Sequence, residues 1–487
     1  MSKAKTGNSF WSSWKWLIEI VLFSVIAGLL IYAVPMEGLE FQGKVMLVMF
    51  LWCVALWIAK PLEEWLVSVI ACVILVIFFG IDHKGLLSGF QNPGWFLVIF
   101  SQMIGITMVM TGLGRRMAYF IVSKLGKGGA LMANYAVGAT TALCTLIIPS
   151  AGARTSTLVN IVDELSESLG FKRGERGGES LVMTGMFVNT TGTIMFLTGT
   201  NTILMGLAIV MEATGRTMSW GEWFAAGFLP GAICCLLIPM YTHLLYKPKK
   251  SKTGGPAEPK KIDVGFAKQA LAEMGPMSTG EKWSLICFSL TVLLWATGSL
   301  TGINANIVPW LTVFLLLIPN FAPGTSKEII REVPWSAMLW IGLAMGMANN
   351  VNSSGGFQWL VDTFFTSNAA VQSLSYTGFL IVWLLLVLFI HIIFAGMDPM
   401  VTLFTPIGMS IAAALGFDVF TVGVITIMAV CVGANFMAFN SQSNLLWCAT
   451  NRFTPGQQLG AACLINVSVA VVLLLTLLFY WPLIGMV

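Results

Sequence analysis

A single arginine, Arg154, lies between two apolar runs in the segment LIIPSAGARTSTLVNIV, residues 146–162. An ionised side chain at membrane depth costs about 2.5–3.5 kcal/mol on insertion scales, so its presence calls for a compensating role. Ser150 precedes the arginine, and Thr155 and Ser156 follow it, where the second arm of a helical hairpin is predicted to begin. A helix N-terminus carries partial positive charge and free N–H groups, and both attract anions. The segment is therefore a candidate site for an anionic substrate, with Arg154 as its fixed cation.

Two structural roles for Arg154 are also compatible with the sequence. Its long side chain could snorkel to the cytoplasmic water. It could also pair with Asp163 or Glu164, which follow it on the same segment. Either arrangement would make the arginine a structural residue and would leave substrate binding to other parts of the chain.

Two tracts of hydroxyl and amide side chains interrupt apolar segments that are longer than one membrane span, at 181–211 and 419–450. Clustered hydroxyls, amides and glycine favour an unwound segment, although ordinary hydrogen bonding between helices is the simpler alternative. The amide and hydroxyl donors suit a carboxylate or sulfonate. The candidate substrate-binding residues are Thr198, Thr200, Asn201 and Thr202 in the first tract and Asn440, Ser441, Gln442, Ser443 and Asn444 in the second.

The same tracts contain neutral oxygens that suit Na⁺ as a coupling ion. The candidate ion-binding residues are Ser150, Gly199, Thr200, Asp398 and Ser441. Asp398 could hold Na⁺, carry a coupling proton, neutralise Arg154, or cap a helical arm that starts at Pro399. With three scattered histidines and no C-x-x-C pair, neither a metal centre nor an organic cofactor is expected.

The composition predicts an all-α polytopic membrane protein. Hydrophobic residues make up 57% of the chain and charged residues 10%, against about 25% charged residues in globular domains. Apolar stretches of about 20 residues recur from Trp16 onward, and each is long enough to cross a bilayer. The first of them has no small-residue cleavage site behind it and is predicted to be a retained span. No segment is left over for a separate soluble domain, and nothing indicates a nucleic-acid partner.

Charge bias predicts the orientation, because Lys and Arg mark the cytoplasmic side. Of 26 such residues, only Lys44, Lys84 and Arg216 fall outside when the N-terminus is cytoplasmic and the C-terminus is external; Arg154 lies within a segment. The predicted location is a cell (inner) membrane. The predicted spans are 16–34, 43–59, 64–80, 94–113, 180–211, 223–246, 283–300, 306–321, 335–350, 418–450 and 458–484.

Two further apolar segments, 130–165 and 371–415, are predicted to be re-entrant hairpins rather than pairs of spans. After Arg154 only eight residues precede Asp163, which is too short to cross, and the second segment contains Pro406 in its returning arm. Hairpins of this kind are tolerated only where protein or a water-filled cavity covers the turn.

The chain repeats itself, which sets its domain organisation. LIIPSAGARTSTL, from Leu146, aligns with HIIFAGMDPMVTL, from His391, and FLTGTNTIL, from Phe196, resembles FNSQSNLLW, from Phe439. Five crossings and one hairpin per half give the halves opposite orientations, so an inverted repeat is expected, with a transport site where the interrupted segments meet. The predicted divisions are an N-terminal segment with the first span (1–42), repeat 1 (43–246), a cytoplasmic linker (247–282) and repeat 2 (283–487).

At these residues the chain resembles the divalent anion/sodium symporter (DASS) family of the ion-transporter superfamily, over nearly its whole length from about residue 43. Members carry Ser-Asn-Thr at both hairpin tips, and the citrate and oxoglutarate/malate exchanger branch extends the first to Ser-Asn-Thr-Ala-Arg. Here residues 150–154 match at the serine, alanine and arginine but lack the Asn and Thr. The second tip, residues 395–398, departs further. The resemblance implies elevator-type alternating access by a homodimer. The departures remove the Asn and Thr that, in the family, help to build the sodium sites and to bind the substrate carboxylate.

The sequence thus predicts a secondary active transporter of small organic anions such as di- or tricarboxylates, working in the lipid bilayer by Na⁺-coupled symport, proton coupling or anion exchange. An anion channel is the alternative, followed by a membrane-embedded enzyme. The enzyme alternative is disfavoured because the sequence contains no H-E-x-x-H and no G-x-S-x-G motif.

Overall fold

The structure, a computed structural model, describes most of the chain. The described residues are 10–125, 129–148, 150–216, 218–248, 265–303, 307–319, 321–322, 324–366, 368–394 and 396–486. Throughout these residues the secondary structure is helical, which confirms the predicted fold class. Most of the predicted linker sequence KPKKSKTGGPAEPKK lies outside them.

The described residues of the first half form eleven α-helices. They are α1 (Phe10–Tyr32), α2 (Phe41–Ala59), α3 (Glu64–Phe79), α4 (His83–Leu86), α5 (Pro93–Thr111), α6 (Leu113–Leu125), α7 (Ala130–Ile147), α8 (Ala151–Ser168), α9 (Arg176–Thr191), α10 (Asn201–Thr214) and α11 (Trp220–Leu245).

The described residues of the linker and the second half form fourteen further α-helices. Its elements are α12 (Gly265–Glu273), α13 (Thr279–Ala296), α14 (Gly298–Thr301), α15 (Val308–Leu316), α16 (Ser326–Glu332), α17 (Trp335–Ser353), α18 (Gly356–Val361), α19 (Ala369–Gln372), α20 (Tyr376–Phe389), α21 (Met397–Ala414), α22 (Val419–Gly433), α23 (Gln442–Cys448), α24 (Pro455–Leu475) and α25 (Trp481–Leu483).

Seven helices among the described residues are long and apolar enough to cross a membrane. They are Trp14–Tyr32, Phe41–Ala59, Pro93–Thr111, Ala130–Ile147, Trp220–Leu245, Met397–Ala414 and Pro455–Leu483. Helices α3, α10, α20 and α22 are apolar but shorter. Two of these seven, α7 and α21, are arms of the predicted hairpins. Length alone therefore does not distinguish a hairpin arm from a membrane span.

Both predicted interruptions are present as breaks between helices. α9 continues as a 3₁₀ turn over Gly192–Met195. A short non-helical stretch, residues 196–200, then leads to the start of α10 at Asn201. α22 ends at Gly433, and a break containing the 3₁₀ turn Ala438–Asn440 separates it from α23. A β-carbon at Gly199 would lie 2.1 Å from the carbonyl oxygen of Thr193, so the first break requires glycine there.

The two breaks share a backbone conformation that corrects the register of the repeat. The φ/ψ angles before α10 are −158°/156° at Thr200, and those before α23 are −153°/152° at Ser441. Phe196 and Met437, four residues earlier in each case, share a φ of −132°. The matching pairs are therefore Phe196 with Met437 and Thr200 with Ser441. The sequence alignment, which matched Phe196 with Phe439, was wrong by two residues because it followed side-chain identity rather than backbone geometry.

The second arm of each helical hairpin packs against helices of both halves. α8, the second arm of hairpin 1 (α7 and α8), packs against α9 of its own half and α23 of the other. α21, the second arm of hairpin 2 (α20 and α21), packs against α22 and against α10. This reciprocal exchange brings each hairpin onto the other half's broken helix, as an inverted repeat requires.

Candidate functional site

Arg154 is completely buried, at 0% exposure, and bonds three segments together. Its Nη1 donates to the carbonyl oxygens of Ile148 at 2.7 Å and Gly199 at 3.2 Å. Its Nη2 donates to the carbonyl oxygen of Asn189 at 3.0 Å, and its Nε donates to the side-chain oxygen of the same residue. The guanidinium therefore joins the tip of hairpin 1, the first half of broken helix 1 and the break itself.

Both structural roles for Arg154 that the sequence allowed were wrong. The side chain does not snorkel, because none of it is exposed. Asp163 instead pairs with Arg452, another buried arginine, and Glu164 accepts a hydrogen bond from Tyr119 at 3.0 Å. Arg154 belongs to none of the ion pairs among the described residues, so only neutral oxygens surround its charge.

Asn189 is the centre of the hydrogen-bond network, and the sequence prediction missed it. Its Nδ2 donates to Thr155 Oγ1 at 2.9 Å and to Ser443 Oγ at 2.6 Å, and these two hydroxyls lie 2.9 Å apart. With Arg154 it forms a continuous chain from the carbonyl of Gly199 to Ser443. The two polar tracts thus converge. An asparagine within the apolar run before the break was the available signal.

The corresponding position in hairpin 2 is filled by neutral donors. Asn440, which the corrected register matches to Gly199, donates through Nδ2 to the carbonyl oxygens of His391 and Phe394, both at 2.7 Å. The Nε2 of buried His391 lies 2.9 Å from the carbonyl oxygen of Val430, the residue that matches Asn189. In hairpin 2, therefore, an amide and an imidazole bond to the carbonyls where hairpin 1 uses one guanidinium.

Asp398 lies in the first turn of α21 and contacts the first break. Its Oδ1 accepts a hydrogen bond from the hydroxyl of Thr202, whose match in the other half, Ser443, contacts hairpin 1 in the same way. Asp398 belongs to no ion pair among the described residues, so the predicted neutralisation of Arg154 is not seen. Gly396, with a φ of +87°, occupies the N-cap position that was considered for Asp398.

Some candidate residues stabilise the breaks rather than present free donors. Ser150 caps α8 by accepting from the Ala153 amide at 3.4 Å. Ser441 caps α23 by accepting from the Asn444 amide at 3.1 Å. The Asn444 side chain donates to the carbonyl of Ala434 at 2.8 Å.

Two predicted residues lie away from the network. Gln442 is exposed. Ser156 is also exposed, donates to the carbonyl of Gly152 at 3.1 Å and faces a separate cavity. Helical geometry accounts for the difference, because successive residues point about 100° apart and a neighbour of a network residue faces elsewhere.

Thr198, Thr200 and Thr202 are buried at the first break. The side-chain oxygen of Asn201 beside them is buried and has no hydrogen-bond partner among the residues that the structure describes. Among the described residues no group of His, Cys, Asp or Glu is arranged to hold a metal ion. What these residues bind stays a prediction.

The family model described as the sodium:sulfate symporter transmembrane region matches residues 12–487. The chain belongs to this family, which confirms the predicted DASS membership. Dicarboxylate transporter 1, chloroplastic, of Spinacia oleracea is 27% identical, over 84% of this chain and 71% of that protein. The citrate/succinate antiporter of Escherichia coli (strain K12) is 27% identical, over 82% of this chain and 84% of that protein.

A solved structure shares the fold. The YdaH transporter of Alcanivorax borkumensis superposes with a TM-score of 0.51 at 12% identity, covering 83% of this chain and 90% of that one. At this identity the likeness concerns the arrangement of helices alone.

Proposed function

We propose that this DASS protein is a secondary transporter of small organic anions, of the di- or tricarboxylate class, and not an enzyme. The observation that carries the proposal is the buried charge of Arg154 where hairpin 1 meets both broken helices. A buried charge is costly unless it is compensated, and among the described residues its hydrogen-bond partners are all carbonyl and amide oxygens. A substrate anion beside the network would compensate it. The names of the cited relatives, a dicarboxylate transporter and a citrate/succinate antiporter, support this class.

The anion would bind against the N-termini of α8 and α10, with the hydroxyls of Ser150 and Thr200 and the amide of Asn201 as the nearest polar side chains. Both helices are longer than three turns, so their free N–H groups and dipoles favour negative charge. Arg154 adds its charge from behind the first break, at Gly199. The asymmetry of charge favours placing the substrate's carboxylate towards hairpin 1.

We further propose that transport occurs by anion exchange rather than by Na⁺ symport. Na⁺ in a protein is coordinated by oxygen atoms, and backbone oxygens at both hairpin tips, in α9 and in the first break already accept hydrogen bonds from this chain. Arg154 occupies those of Ile148, Gly199 and Asn189, and Asn440 occupies that of Phe394. A guanidinium fixed in this position would supply the positive charge that a bound Na⁺ would otherwise supply, and it would not dissociate during transport.

The test is uptake of radiolabelled succinate into proteoliposomes that are either empty or preloaded with unlabelled succinate. Preloading should raise uptake severalfold, and replacing Na⁺ with choline should leave it unchanged. Concentrative uptake driven by a Na⁺ gradient into empty vesicles would contradict the exchange mechanism but not the transporter assignment. A channel would equilibrate succinate without any requirement for preloading.

The transport cycle itself is proposed to follow an elevator mechanism in a homodimer, with the N-terminus cytoplasmic and the C-terminus external. The hydrogen-bond network supports movement of hairpin 1 and the broken helices as one body. At its tip, hairpin 1 is bonded through Arg154, and near its base Arg452 bonds α8 to the segment after α23 through Asp163. The name of one relative, the inner membrane protein YbhI of Escherichia coli (strain K12), supports an inner-membrane location.

A further inference from the structure

A cavity of about 560 Å³ lies beside α8, on the side that the charge bias places in the cytoplasm. It opens between the corner of α5 and α6 and the outward face of α8. Its polar lining includes Thr111, Arg115, Tyr119, Ser156, Asn160 and Glu164. Ser156, Asn160 and Glu164 repeat every four residues, so they form one polar stripe on α8. An exposed polar stripe within an apolar protein requires water, and the stripe begins two residues after Arg154.

Arg115 supplies a positive charge to this cavity. It is exposed, and its guanidinium lies over the ring of Tyr119, 5.6 Å from the ring centroid. The adjacent Arg116 is already used, since it donates to Glu281 at 2.7 Å and to the carbonyl of Gly275 at 2.8 Å. Arg115 belongs to none of the ion pairs that the described residues form.

The two acids that line the cavity each have a partner. Glu164 accepts from the hydroxyl of Tyr119 at 3.0 Å. Asp163 pairs with buried Arg452 and lies 3.7 Å from Arg173. These contacts direct both carboxylates to protein donors. Among the charged side chains described in this lining, Arg115 is therefore the one left to donate to an incoming ligand.

A second cavity, of about 490 Å³, has a different lining. It lies between α10 and α21 on one side and α17 on the other, and amides such as Asn349, Asn352 and Gln358 line it. Among the described residues that line it, Glu212 is the one charged side chain, and Glu212 accepts from Asn92 at 3.1 Å. Of the two cavities, as far as their described lining goes, the first presents a cation and the second does not.

We propose that Arg115 is an anion-capture residue, which binds a carboxylate of the substrate in the α5–α6–α8 cavity before it reaches the network around Arg154. This inference rests on the proposed function and adds a sidedness to it. The planar guanidinium suits a carboxylate, and one exposed charge in a cleft raises the local concentration of anions. The apparent affinity for substrate is accordingly higher from the cytoplasmic face than from the external face.

The experiment compares exchange of radiolabelled succinate in everted and right-side-out membrane vesicles from cells that express the full chain. Arg115→Gln should raise the KM by about two- to fivefold in everted vesicles only, with kcat unchanged, as expected for loss of one exposed charged contact. Arg115→Lys should restore most of the affinity. The difference between wild type and Arg115→Gln should shrink in 1 M salt, where the Debye length falls to about 3 Å.

Lys124→Gln is the matched control, because Lys124 is exposed on the same helix, lies over Phe120 rather than the cavity, and loses the same charge. An equal KM change on both faces, no change, or the same change in Lys124→Gln would overturn the capture role. If the wild type exchanges succinate but shows no sidedness, the capture role alone fails. If the wild type does not exchange succinate, citrate or malate at all, the proposed function fails and the capture role fails with it.

Discussion

The two halves have related breaks, but the donors that bond to their two hairpin tips differ in chemistry. Each packs its second arm on the other half's broken helix, and each break ends in the same extended conformation, at Thr200 and at Ser441. At tip 1 the donor to the backbone carbonyls is the guanidinium of Arg154, whereas at tip 2 it is the amide of Asn440. The inverted repeat is therefore symmetric in backbone and asymmetric in charge.

This difference separates the architectural and functional parts of the repeat. Both tips satisfy their buried carbonyls, as buried polar groups must. Only tip 1 does so with a permanent charge, which costs more to bury and has no carboxylate beside it. Tip 2 instead contains an acid, Asp398, held by Thr202. Both tips are thus bonded into the fold, and the proposed attraction of an anion is assigned mainly to tip 1.

The largest expected effect is that of substitution at Arg154. Arg154→Gln removes the charge and at least two of the carbonyl contacts, so transport should fall more than tenfold, the equivalent of losing one charge-assisted contact of about 1.5–3 kcal/mol. Arg154→Lys keeps the charge but not the planar fork, so its transport rate should lie between those of the wild type and Arg154→Gln. Succinate exchange in proteoliposomes provides the measurement, with exposed Arg173→Gln as the control. Normal exchange by Arg154→Gln would move the site to the broken helices alone.

Asn189 allows the charge of tip 1 to be separated from its packing. Asn189→Asp keeps an oxygen for Arg154 Nε and places a negative charge beside the guanidinium. Asn189→Ala removes the side-chain oxygen and adds no charge. We expect both variants to exchange succinate about tenfold less efficiently, since each loses the donors to Thr155 and Ser443. Only in Asn189→Asp should succinate binding weaken by more than the loss of thermal stability accounts for. If the ratio of lost affinity to lost thermal stability is equal in the two variants, the charge of Arg154 does not act on the substrate.

At tip 2 the effects should be smaller. Asp398→Asn retains an oxygen that can accept from Thr202, so exchange should fall by no more than about threefold. Thr202→Val removes the donor and leaves a largely enclosed carboxylate oxygen unpaired, a cost of about 1–3 kcal/mol that should appear as a lower unfolding temperature in detergent. If Asp398→Asn abolished exchange at normal stability, tip 2 would hold an essential coupling cation, and the contrast drawn between the tips would fail.

The smallest effect is expected at Gln442, which belongs to the second polar tract but is exposed outside the network. Gln442→Ala should change the KM for succinate by less than about twofold, within the range of surface substitutions. Ser443→Ala, one residue along, should change it more, because Ser443 contacts both Thr155 and Asn189. A reversed order would place the substrate on the exposed face of α23.

Much of the site could be predicted because its signals are local. A charged side chain in an apolar run identified Arg154, and clustered hydroxyls and amides identified the breaks that now separate α9 from α10 and α22 from α23. Asn189 was missed because one asparagine in an apolar helix is not by itself distinctive. His391 is buried, and its contact with the carbonyl oxygen of Val430 became meaningful only when Val430 was matched to Asn189.

Hydropathy, charge bias and internal repetition determined from the sequence alone that this is a polytopic helical membrane protein with two broken helices and two hairpins. These properties depend on the environment of each segment, which composition and periodicity record residue by residue. The tertiary structure alone decided the partners. Arg154 reaches a carbonyl 45 residues away, and Asn189 reaches Ser443 across 254 residues. Pairings over such separations depend on how helices cross, and no local pattern in a single sequence encodes that geometry.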